Sequence, residues 1–588
     1  MLTKLTVRNF KRFGEVEIEL GNPVIFFGPN DSGKTTALQA LAVWDVGLRR
    51  WNERRKGKAT PEKRSGVTIN RRDLIAVPIP DANLLWRDLH VRNIRMVNGK
   101  QDTKNIRVDI IVEGVSEGKE WRCGLEFDYA NEESFYCRPL RLSEEKNPER
   151  MPIPEQAGKV RVAYLPPMSG LAGKETKQDP GTVNVLIGEG RTAEVLRNLC
   201  YQIWTGSKGE ANWRHLSDRI EALFGVALDE PQYIPERGEI VMTYRQPPGS
   251  RVRLDLSSSG RGLQQTLLLL AHLMANRQSV LLLDEPDAHL EILRQRQIYQ
   301  LLSEEARACG SQIIAASHSE IILNEAADRD VVVAFVGKPH RINDRGSQVL
   351  KAIKDIGFQD YVQAEETGWV LYLEGSTDLA ILRSFADTLK HAACGALERP
   401  FVDYVGNVPS NAENHFYGLR EAKRDLVGFA LFDRLEQPLQ ERPGLTQRMW
   451  TRREIENYLC QPETLLAYAE ASAMEVAAEV APGPLFEVQE RKRRREAMEE
   501  AIRDSAPPAA LRDLSDSWWV DTKASDGFLD RVFAAFFMKL GLPNVMPKSS
   551  YYVLARFVPR ELLDPQVQEV LDRIVKVERA GRPVSGDT

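Results

Sequence analysis

The chain has 588 residues, long enough for about two to four domains, and its hydrophobic share of 42% is ordinary for a globular protein. A formal net charge of −5, from 79 basic and 84 acidic residues, excludes a globally basic chain and leaves only local basic patches open. Six cysteines without CxxC or Cys/His spacing indicate neither a zinc site nor a disulfide framework. No apolar run has the length of a signal sequence or a membrane span, so we expect a cytoplasmic protein without membrane contact.

The first 50 residues are typical of a sheet that leads into a phosphate-binding loop. Residues 2–10 and 15–20 alternate polar and apolar side chains, and residues 24–27 form a short apolar strand. The pattern GxxxxGK[ST] follows, and a helix is predicted from Lys34 to about Leu48. The predicted ATP-binding residues are Gly28, Asn30, Ser32, Gly33, Lys34, Thr35 and Thr36. Backbone N–H groups would cradle the phosphates, Lys34 would reach the β- and γ-phosphates, and Thr35 would ligate Mg²⁺.

Two further segments separate this loop from the next motif. Residues 106–114 and 121–130 alternate as strands do, which predicts an antiparallel β-subdomain. Residues 185–225 are predicted to form an inserted helical element. Its tryptophans, Trp204 and Trp213, fit either a dimerisation surface or a packed core.

Two buried strands then end in polar residues. Residues 280–283 are apolar and lead to Asp284, which can hold Mg²⁺ through water, and to Glu285, which can polarise the attacking water. Residues 313–317 end at His318, placed to sense the γ-phosphate.

These motifs resemble the ABC ATPase superfamily, especially its chromosome-maintenance and recombination branch, and residues 256–265 are similar to its signature motif. The resemblance implies that Ser258, Gly260 and Gly262 bind the γ-phosphate held by an opposite head, and so a homodimer or higher homo-oligomer. Ser259 and Arg261 interrupt the usual glycines, and no Q-loop glutamine is identified. Residues 287–290 fit equally a D-loop that links the heads or a helix N-cap.

The sequence begins again near residue 365 with an apolar strand, 369–373, that ends at Glu374. Asp378 starts the helix that follows, and a second apolar run, 426–432, ends at Asp433, with Glu436 close behind. Acids at strand ends suit Mg²⁺ or Mn²⁺, which prefer oxygen ligands.

The second half resembles a Toprim domain, in which the first glutamate acts as general base or metal ligand and later acids bind metal. Glu374, Gly375 and Asp378 match, but Leu435 stands where the usual Asp-x-Asp element has its second acid. The segment 452–459, with its Arg residues and with Glu454 and Glu456, could lend another acid or bind phosphate, although surface pairing of these charges is the simpler interpretation. Lys548, before a predicted strand at 551–557, could contact a scissile phosphate or be a solvated lysine.

An ABC ATPase followed by Toprim resembles overcoming-lysogenization-defect (OLD) family nucleases and Gabija-type and PARIS-type antiphage proteins. We therefore predict an α/β chain with an ABC-type ATPase head at 1–357, a Toprim-like domain at 365–460 and a mainly helical extension at 461–588. The resemblance implies an ATP- and Mg²⁺-dependent sensor coupled to a nuclease acting on DNA or RNA, with a phage-derived trigger or a defence partner protein. The alternatives are a non-nucleolytic DNA-repair or structural ATPase, and a scaffold that holds a separate toxin.

Overall fold

The protein is described from a computed structural model that covers residues 1–55, 66–74, 76–77, 79–97, 100–143, 148–246, 250–327, 329–342, 356–480 and 484–584. The described residues fall into two compact units, unit 1 within 1–350 and unit 2 within 351–584. Among the described helices, none combines the length and the apolar character that a membrane crossing requires.

Unit 1 contains 19 of the strands that the structure describes and eight α-helices. The strands are β1 (Leu2–Phe10), β2 (Phe13–Glu19), β3 (Val24–Phe27), β4 (Val67–Asn70), β5 (Arg92–Val97), β6 (Lys100–Asn105), β7 (Arg107–Ser116), β8 (Lys119–Asn131), β9 (Ser134–Pro139), β10 (Val162–Leu165), β11 (Ala227–Leu228), β12 (Gln232–Ile234), β13 (Glu239–Val241), β14 (Thr243–Arg245), β15 (Leu254–Asp255), β16 (Val280–Asp284), β17 (Gln312–Ser317), β18 (Val331–Ala334) and β19 (His340–Arg341). The helices are α1 (Lys34–Arg55), α2 (Glu155–Lys159), α3 (Pro180–Gly188), α4 (Leu196–Thr205), α5 (Gly209–Phe224), α6 (Arg261–Ala275), α7 (Ile292–Ala308) and α8 (Glu320–Ala326), with short 3₁₀ turns that include Leu256–Ser258.

Two six-stranded sheets organise unit 1. The first has the order β2-β1-β7-β8-β9-β4 and is antiparallel, as the alternating residues predict. The second has the order β10-β16-β17-β3-β18-β19, and its central strands are parallel and wholly buried, which explains their unbroken apolar runs. Strands β3, β16 and β17 are neighbours and run in the same direction. The segments that follow them, which begin at Gly28, Glu285 and His318, therefore lie at one edge of the sheet.

Helix α1 joins the two sheets into one core. Its apolar residues, such as Leu41 and Trp44, belong to the same buried cluster as Phe26 of the parallel sheet and Phe127 of the antiparallel sheet. The Trp44 indole N–H donates to the carbonyl of Cys123 at 3.1 Å, so the one polar atom of this buried ring is satisfied. The helix that begins with the phosphate loop is therefore held on both sides.

Unit 2 combines a small parallel sheet with many helices. Its strands are β20 (Trp369–Leu373), β21 (Val402–Tyr404), β22 (Val427–Phe432) and β23 (Leu445–Met449), in the order β21-β20-β22-β23. Its α-helices are α9 (Phe358–Thr367), α10 (Ser376–Leu389), α11 (Ala393–Glu398), α12 (Pro409–Ala422), α13 (Pro462–Val480), α14 (Pro484–Ser505), α15 (Pro508–Arg512), α16 (Trp518–Asp521), α17 (Asp530–Leu540) and α18 (Pro565–Ala580), with 3₁₀ segments at Ile455–Tyr458, Lys548–Phe557 and Arg560–Leu562 and a π-helical turn at Ala524–Leu529.

The core of unit 2 runs continuously across residue 460. Strand residues such as Leu371 and Leu431 lie in the same buried cluster as Phe533, Tyr551 and Leu571 from the later helices. The helices after residue 460 therefore complete the hydrophobic layer over the sheet.

The prediction of a strand at 551–557 is wrong, because Lys548–Phe557 is a 3₁₀ helix. Tyr551, Leu554 and Ala555 are the buried residues of this segment. That spacing of about three matches the 3₁₀ repeat and not the alternation of a strand. Lys548 is accordingly the first residue of a helical turn.

Candidate functional site

The loop between β3 and α1 is folded as a phosphate cradle. Lys34 is only 6% exposed, and its ammonium donates to the carbonyls of Gly28 and Pro29, both at 2.7 Å. Gly33 has φ 102°, a conformation that favours glycine, and the hydroxyl of Ser32 is buried without a partner. Burial lowers the pKa of Lys34, while Glu285 and Asp284 oppose this shift. The loop thus holds polar groups that a bound phosphate would satisfy.

Asp284, at the end of β16, faces the start of α1. The Thr35 hydroxyl donates to one carboxylate oxygen at 3.1 Å and the Tyr164 hydroxyl donates to the other at 3.1 Å. Burial raises the pKa of Asp284, and the two hydrogen bonds oppose that shift. An adjacent hydroxyl and carboxylate are the donors that Mg²⁺ prefers, so this pair fits a nucleotide-bound Mg²⁺. Asn30 is exposed and Thr36 half-buried in the same loop.

Glu285 and His318 lie beside this pair. Glu285 has φ 48°, and its N–H donates to the carbonyl of Ala316 at 2.9 Å, which fixes the turn after β16. The His318 Nδ1 atom lies 3.8 Å from the Glu285 carboxylate. Asp287 is buried behind them; burial raises its pKa, and hydrogen bonding by Ser317 opposes the rise. Glu285, predicted to polarise the attacking water, and His318, predicted to sense the γ-phosphate, are therefore together at one edge of the parallel sheet.

The N-cap interpretation of residues 287–290 is wrong. Helix α7 begins at Ile292, and Glu291 is its N-cap. Residues 287–290 form a turn in which the N–H of Leu290 donates to the carbonyl of Asp287 and His289 has φ 64°. The D-loop interpretation remains a prediction.

The segment that resembles the signature motif forms a tight turn before α6. Asp255 caps the 3₁₀ turn Leu256–Ser258 by accepting from the N–H of Ser257 at 2.8 Å. Gly260 is the N-cap of α6, and a methyl group added there would meet no atom within 4 Å. Ser258 is exposed and Gly262 half-buried. No hydrogen bond or ion pair between described residues joins this turn to the phosphate loop of the same chain.

A buried arginine holds the turn in place. Arg197 of α4 is 1% exposed; its guanidinium donates to Asp255 at 2.9 Å and to the carbonyl of Ala172 at 2.7 Å. Glu175, also buried, accepts from the backbone N–H groups of Arg197 and Asn198. The helical element at 196–224 is thereby tied to the turn that precedes α6.

In unit 2, the acids predicted after β20 lie together. The N–H of Glu374 donates to the Asp378 carboxylate at 3.1 Å across the turn that starts α10. Burial, together with the charge of Glu374, raises the pKa of Asp378 to about 6.

Asp433 joins these two acids from the neighbouring strand. β20 pairs with β22 in parallel with Tyr372 opposite Ala430, which brings the ends of both strands to one edge. Burial raises the pKa of Asp433 to about 9, and so do its hydrogen bond with Glu374 and the charges of Glu374, Asp378 and Glu456. Like charges this close cannot all be ionised without a compensating cation.

Glu456 is the fourth acid, and it lies in the 3₁₀ turn Ile455–Tyr458. It is 5% exposed; burial and the charges of Glu454 and Asp378 raise its pKa to about 8, while Lys548 opposes the rise. The Lys548 ammonium donates to Ser525 at 3.1 Å and pairs with Asp526 at 3.3 Å. Burial lowers the pKa of Lys548, but Asp526 and Glu456 outweigh it and leave the pKa raised.

The four acids, named here the acid cluster, are Glu374, Asp378, Asp433 and Glu456. Oxygen donors of this kind suit Mg²⁺ or Mn²⁺. Within the part of the chain that the structure describes, no three His, Cys, Asp or Glu side chains converge as a metal-binding set. The cluster is thus grouped by charge but does not form a closed coordination sphere in this conformation. Glu436, which was also predicted to be a metal ligand, is exposed. No described hydrogen bond or ion pair connects it with the acid cluster.

Two of these contacts lacked a motif that could have revealed them. Tyr164 reaches Asp284 because β10 pairs with β16. In the sequence, only the short apolar run before Pro166 indicates strand β10. Arg197 lies in an ordinary amphipathic helix. Glu456 is buried, which argues against simple surface pairing in the segment 452–459, and its role as a further acid remains a prediction.

Comparison with known families identifies the ATPase segments. Residues 4–143 match a family model described as "AAA domain", and residues 209–324 match one described as "AAA domain, putative AbiEii toxin, Type IV TA system". The first match contains the phosphate loop, and the second contains the strand that ends at Asp284. The chain therefore carries P-loop ATPase domain segments, which support ATP binding and hydrolysis. Both matches end before unit 2, and no curated protein matches the chain.

Three of the solved structures that are similar to this chain are heads of SMC proteins. The SMC head domain from Thermotoga maritima is 17% identical and covers 57% of this chain and 94% of its own, with a TM-score of 0.30. The Smc head domain with an extended coiled coil bound to the C-terminal domain of ScpA, derived from Pyrococcus furiosus, is 14% identical and covers 60% and 99%, with a TM-score of 0.32. The SmcHead bound to the C-winged helix domain of ScpA is 15% identical and covers 58% and 97%, with a TM-score of 0.33. Fits at this level do not extend those partners to this chain.

Proposed function

We propose that this protein is an ATP-hydrolysing sensor whose second unit is a metal-dependent, Toprim-like nuclease that cleaves DNA or RNA in antiphage defence. The observation that carries the nuclease is the acid cluster, in which a hydrogen bond joins Glu374 to Asp378 and the charges of neighbouring acids raise the pKa values of Asp378, Asp433 and Glu456.

The ATPase part follows from the contacts at the edge of the parallel sheet. Lys34 would exchange its two carbonyl partners for the β- and γ-phosphates, and Thr35 and Asp284 would hold Mg²⁺. Glu285 would orient the attacking water, and His318, 3.8 Å away, would contact the γ-phosphate.

Pairing of two heads is supported by the exposed turn before α6. Ser258 and Gly260 are exposed, and the space around Gly260 is open. A phosphate from a second copy could therefore approach the N-terminus of α6. This arrangement makes a homodimer the smallest assembly that completes an ATP site.

The acid cluster would bind one or two divalent ions, which activate water and stabilise the charge of the cleaved phosphodiester. Glu374 is the proposed general base or metal ligand, with Asp378, Asp433 and Glu456 as further ligands. Lys548, held by Ser525 and Asp526 next to Glu456, would contact the scissile phosphate. Leu435 leaves the second acidic position of the usual Asp-x-Asp empty, and Glu456 would replace that acid.

The test is cleavage of plasmid DNA and of total RNA by the purified full chain, in Mg²⁺ or Mn²⁺, with and without ATP. Glu374→Ala and Asp433→Asn should abolish cleavage, and ATP hydrolysis measured in parallel should be kept. Glu441→Gln, which changes an exposed acid of the same unit, is the matched control and should cleave as the wild type does.

Equal cleavage by wild type and Glu374→Ala would show that the acid cluster is not the nuclease site. Absence of cleavage in all conditions, with ATP hydrolysis intact, would favour the non-nucleolytic ATPase or the toxin-holding scaffold. Glu436→Gln tests the prediction that Glu436 binds metal. Loss of cleavage would support that role, and unchanged cleavage would show that Glu436 is not a ligand.

A further inference from the structure

We propose that a cavity in unit 1, distinct from the phosphate loop, binds a small organic anion of up to nucleotide size and that its occupancy acts on Asp284 through Tyr164. The inference does not depend on the nuclease. The cavity lies between α1, α3, β10 and α6 and has a volume of about 580 Å³. Cavities of about 300–1,000 Å³ are typical of small-molecule sites.

The wall of the cavity contains buried polar groups. Asp45 of α1 and His272 of α6 both line it, and each is 2% exposed. The Nε2 atom of His272 has no hydrogen-bond partner among the described residues. Burial lowers the pKa of His272 to about 4, so the ring is uncharged at neutral pH. A bound ligand could supply the hydrogen-bond partner that this buried atom lacks.

The charges around the cavity select an anion. Asp45 is paired with Arg49, and Arg50 is paired with Glu53 and Asp73, so the acids on the α1 side already have cationic partners.

Arg161 and Arg277 are the exposed cations on the opposite side. Neither forms an ion pair with a carboxylate in the described ranges, and Arg277 donates only to the neutral amide of Asn212, at 2.9 Å. Guanidinium groups bind phosphate and carboxylate alike. An anionic group would therefore lie between Arg161 and Arg277, and the uncharged body of the ligand would lie against His272 and Asn184.

Tyr164 connects this cavity with the ATPase site. It lines the cavity, and its hydroxyl donates to Asp284, the carboxylate that would bind Mg²⁺. The two preceding residues of the same strand, Val162 and Ala163, also line the cavity. A ligand in contact with β10 would therefore change the position or mobility of the Tyr164 hydroxyl.

The test measures binding of ribose 5-phosphate and of citrate by calorimetry, in a Lys34→Ala background that removes phosphate binding at the loop. Ribose 5-phosphate represents an organic phosphate and citrate a carboxylate, so the pair distinguishes the two kinds of anion. We expect saturable binding of at least one probe at up to millimolar concentration, weakened at least about 10-fold by Arg161→Ala with Arg277→Ala. The matched control, Arg214→Ala with Arg237→Ala, removes two exposed arginines outside the cavity and should bind as its parent does.

The absence of saturable binding by both probes, or equal binding by the Arg161/Arg277 double variant, would overturn the site. The second readout is ATP hydrolysis by the chain with Lys34 intact, in which the bound probe should change the rate at least about twofold. The double variant should hydrolyse ATP at the wild-type rate and lose the response to the probe. Binding without any change in rate would overturn the link through Tyr164.

Discussion

Replacing Glu456 by glutamine should stabilise unit 2 when divalent ions are absent. Glu456 is 5% exposed, and its pKa is raised from 4.5 to about 8, first by burial and then by Glu454 and Asp378. At pH 7, about 2.5 pH units above the ordinary pKa of 4.5, this carboxyl is ionised in the unfolded state. It must take up a proton when the protein folds. Each unit corresponds to about 1.4 kcal/mol, which gives a cost of about 3 kcal/mol.

The pH dependence follows from the direction of this shift. An acid whose pKa is higher in the folded state than in the unfolded state lowers the free energy of unfolding as pH rises. For Glu456 this loss is absent below pH 4.5, accumulates up to about pH 8 and is then constant. The advantage of Glu456→Gln over the wild type should therefore be largest at pH 8 and vanish near pH 4.5.

Differential scanning calorimetry in EDTA, between pH 5 and pH 8, measures this difference. At pH 8 the gain grows to about 4–5 kcal/mol, which should raise the Tm of unit 2 by about 10–15 °C. Glu421→Gln, an exposed acid on α12, should leave the Tm unchanged. Addition of Mg²⁺ should stabilise the wild type more than Glu456→Gln. A lower Tm for Glu456→Gln at pH 8, or the same difference at every pH, would refute the argument that like charges crowd this carboxylate.

Three further changes test unit 1. Glu285→Gln should lower ATP hydrolysis at least about 100-fold while nucleotide binding, followed by fluorescence titration, is kept, and loss of binding would contradict its assigned role. Gly28→Ala should weaken ATP binding and lower the Tm, because the new methyl group would lie 2.8 Å from the carbonyl oxygen of Phe335. Normal binding would show that the loop can shift to accept the methyl group. Arg197→Met should cost about 3–5 kcal/mol in urea unfolding, since it leaves Glu175 buried without its cation, and a neutral effect would show that the backbone bonds of Glu175 suffice.

The sequence was most informative where function and local structure share a short segment. The phosphate loop is a strand, a turn and a helix within residues 24–55, and its glycine positions are required by the local backbone. The strands that end at Asp284 and Ser317 are buried on both faces, which makes their apolar runs easy to identify. In both cases the chemistry follows directly at the end of the strand.

Contacts between distant segments could not be predicted in the same way. Whether Tyr164 meets Asp284 depends on the strand order β10-β16, and no local pattern encodes that order. Glu436 follows Asp433 closely in sequence, yet the turn after β22 leaves Glu436 exposed, while the later 3₁₀ turn buries Glu456. Distance along the chain was therefore a poor guide to distance in space.

The shared core of unit 2 has a consequence for the order of events during synthesis. The strands that carry Glu374 and Asp433 pack against α18, which ends at Ala580. A growing chain that has emerged only as far as β22 still lacks this layer, and translation adds only about 5–20 residues per second. The acid cluster therefore takes its final arrangement only after α18 has left the ribosome. Unfinished chains that lack α18 would therefore not carry an assembled acid cluster.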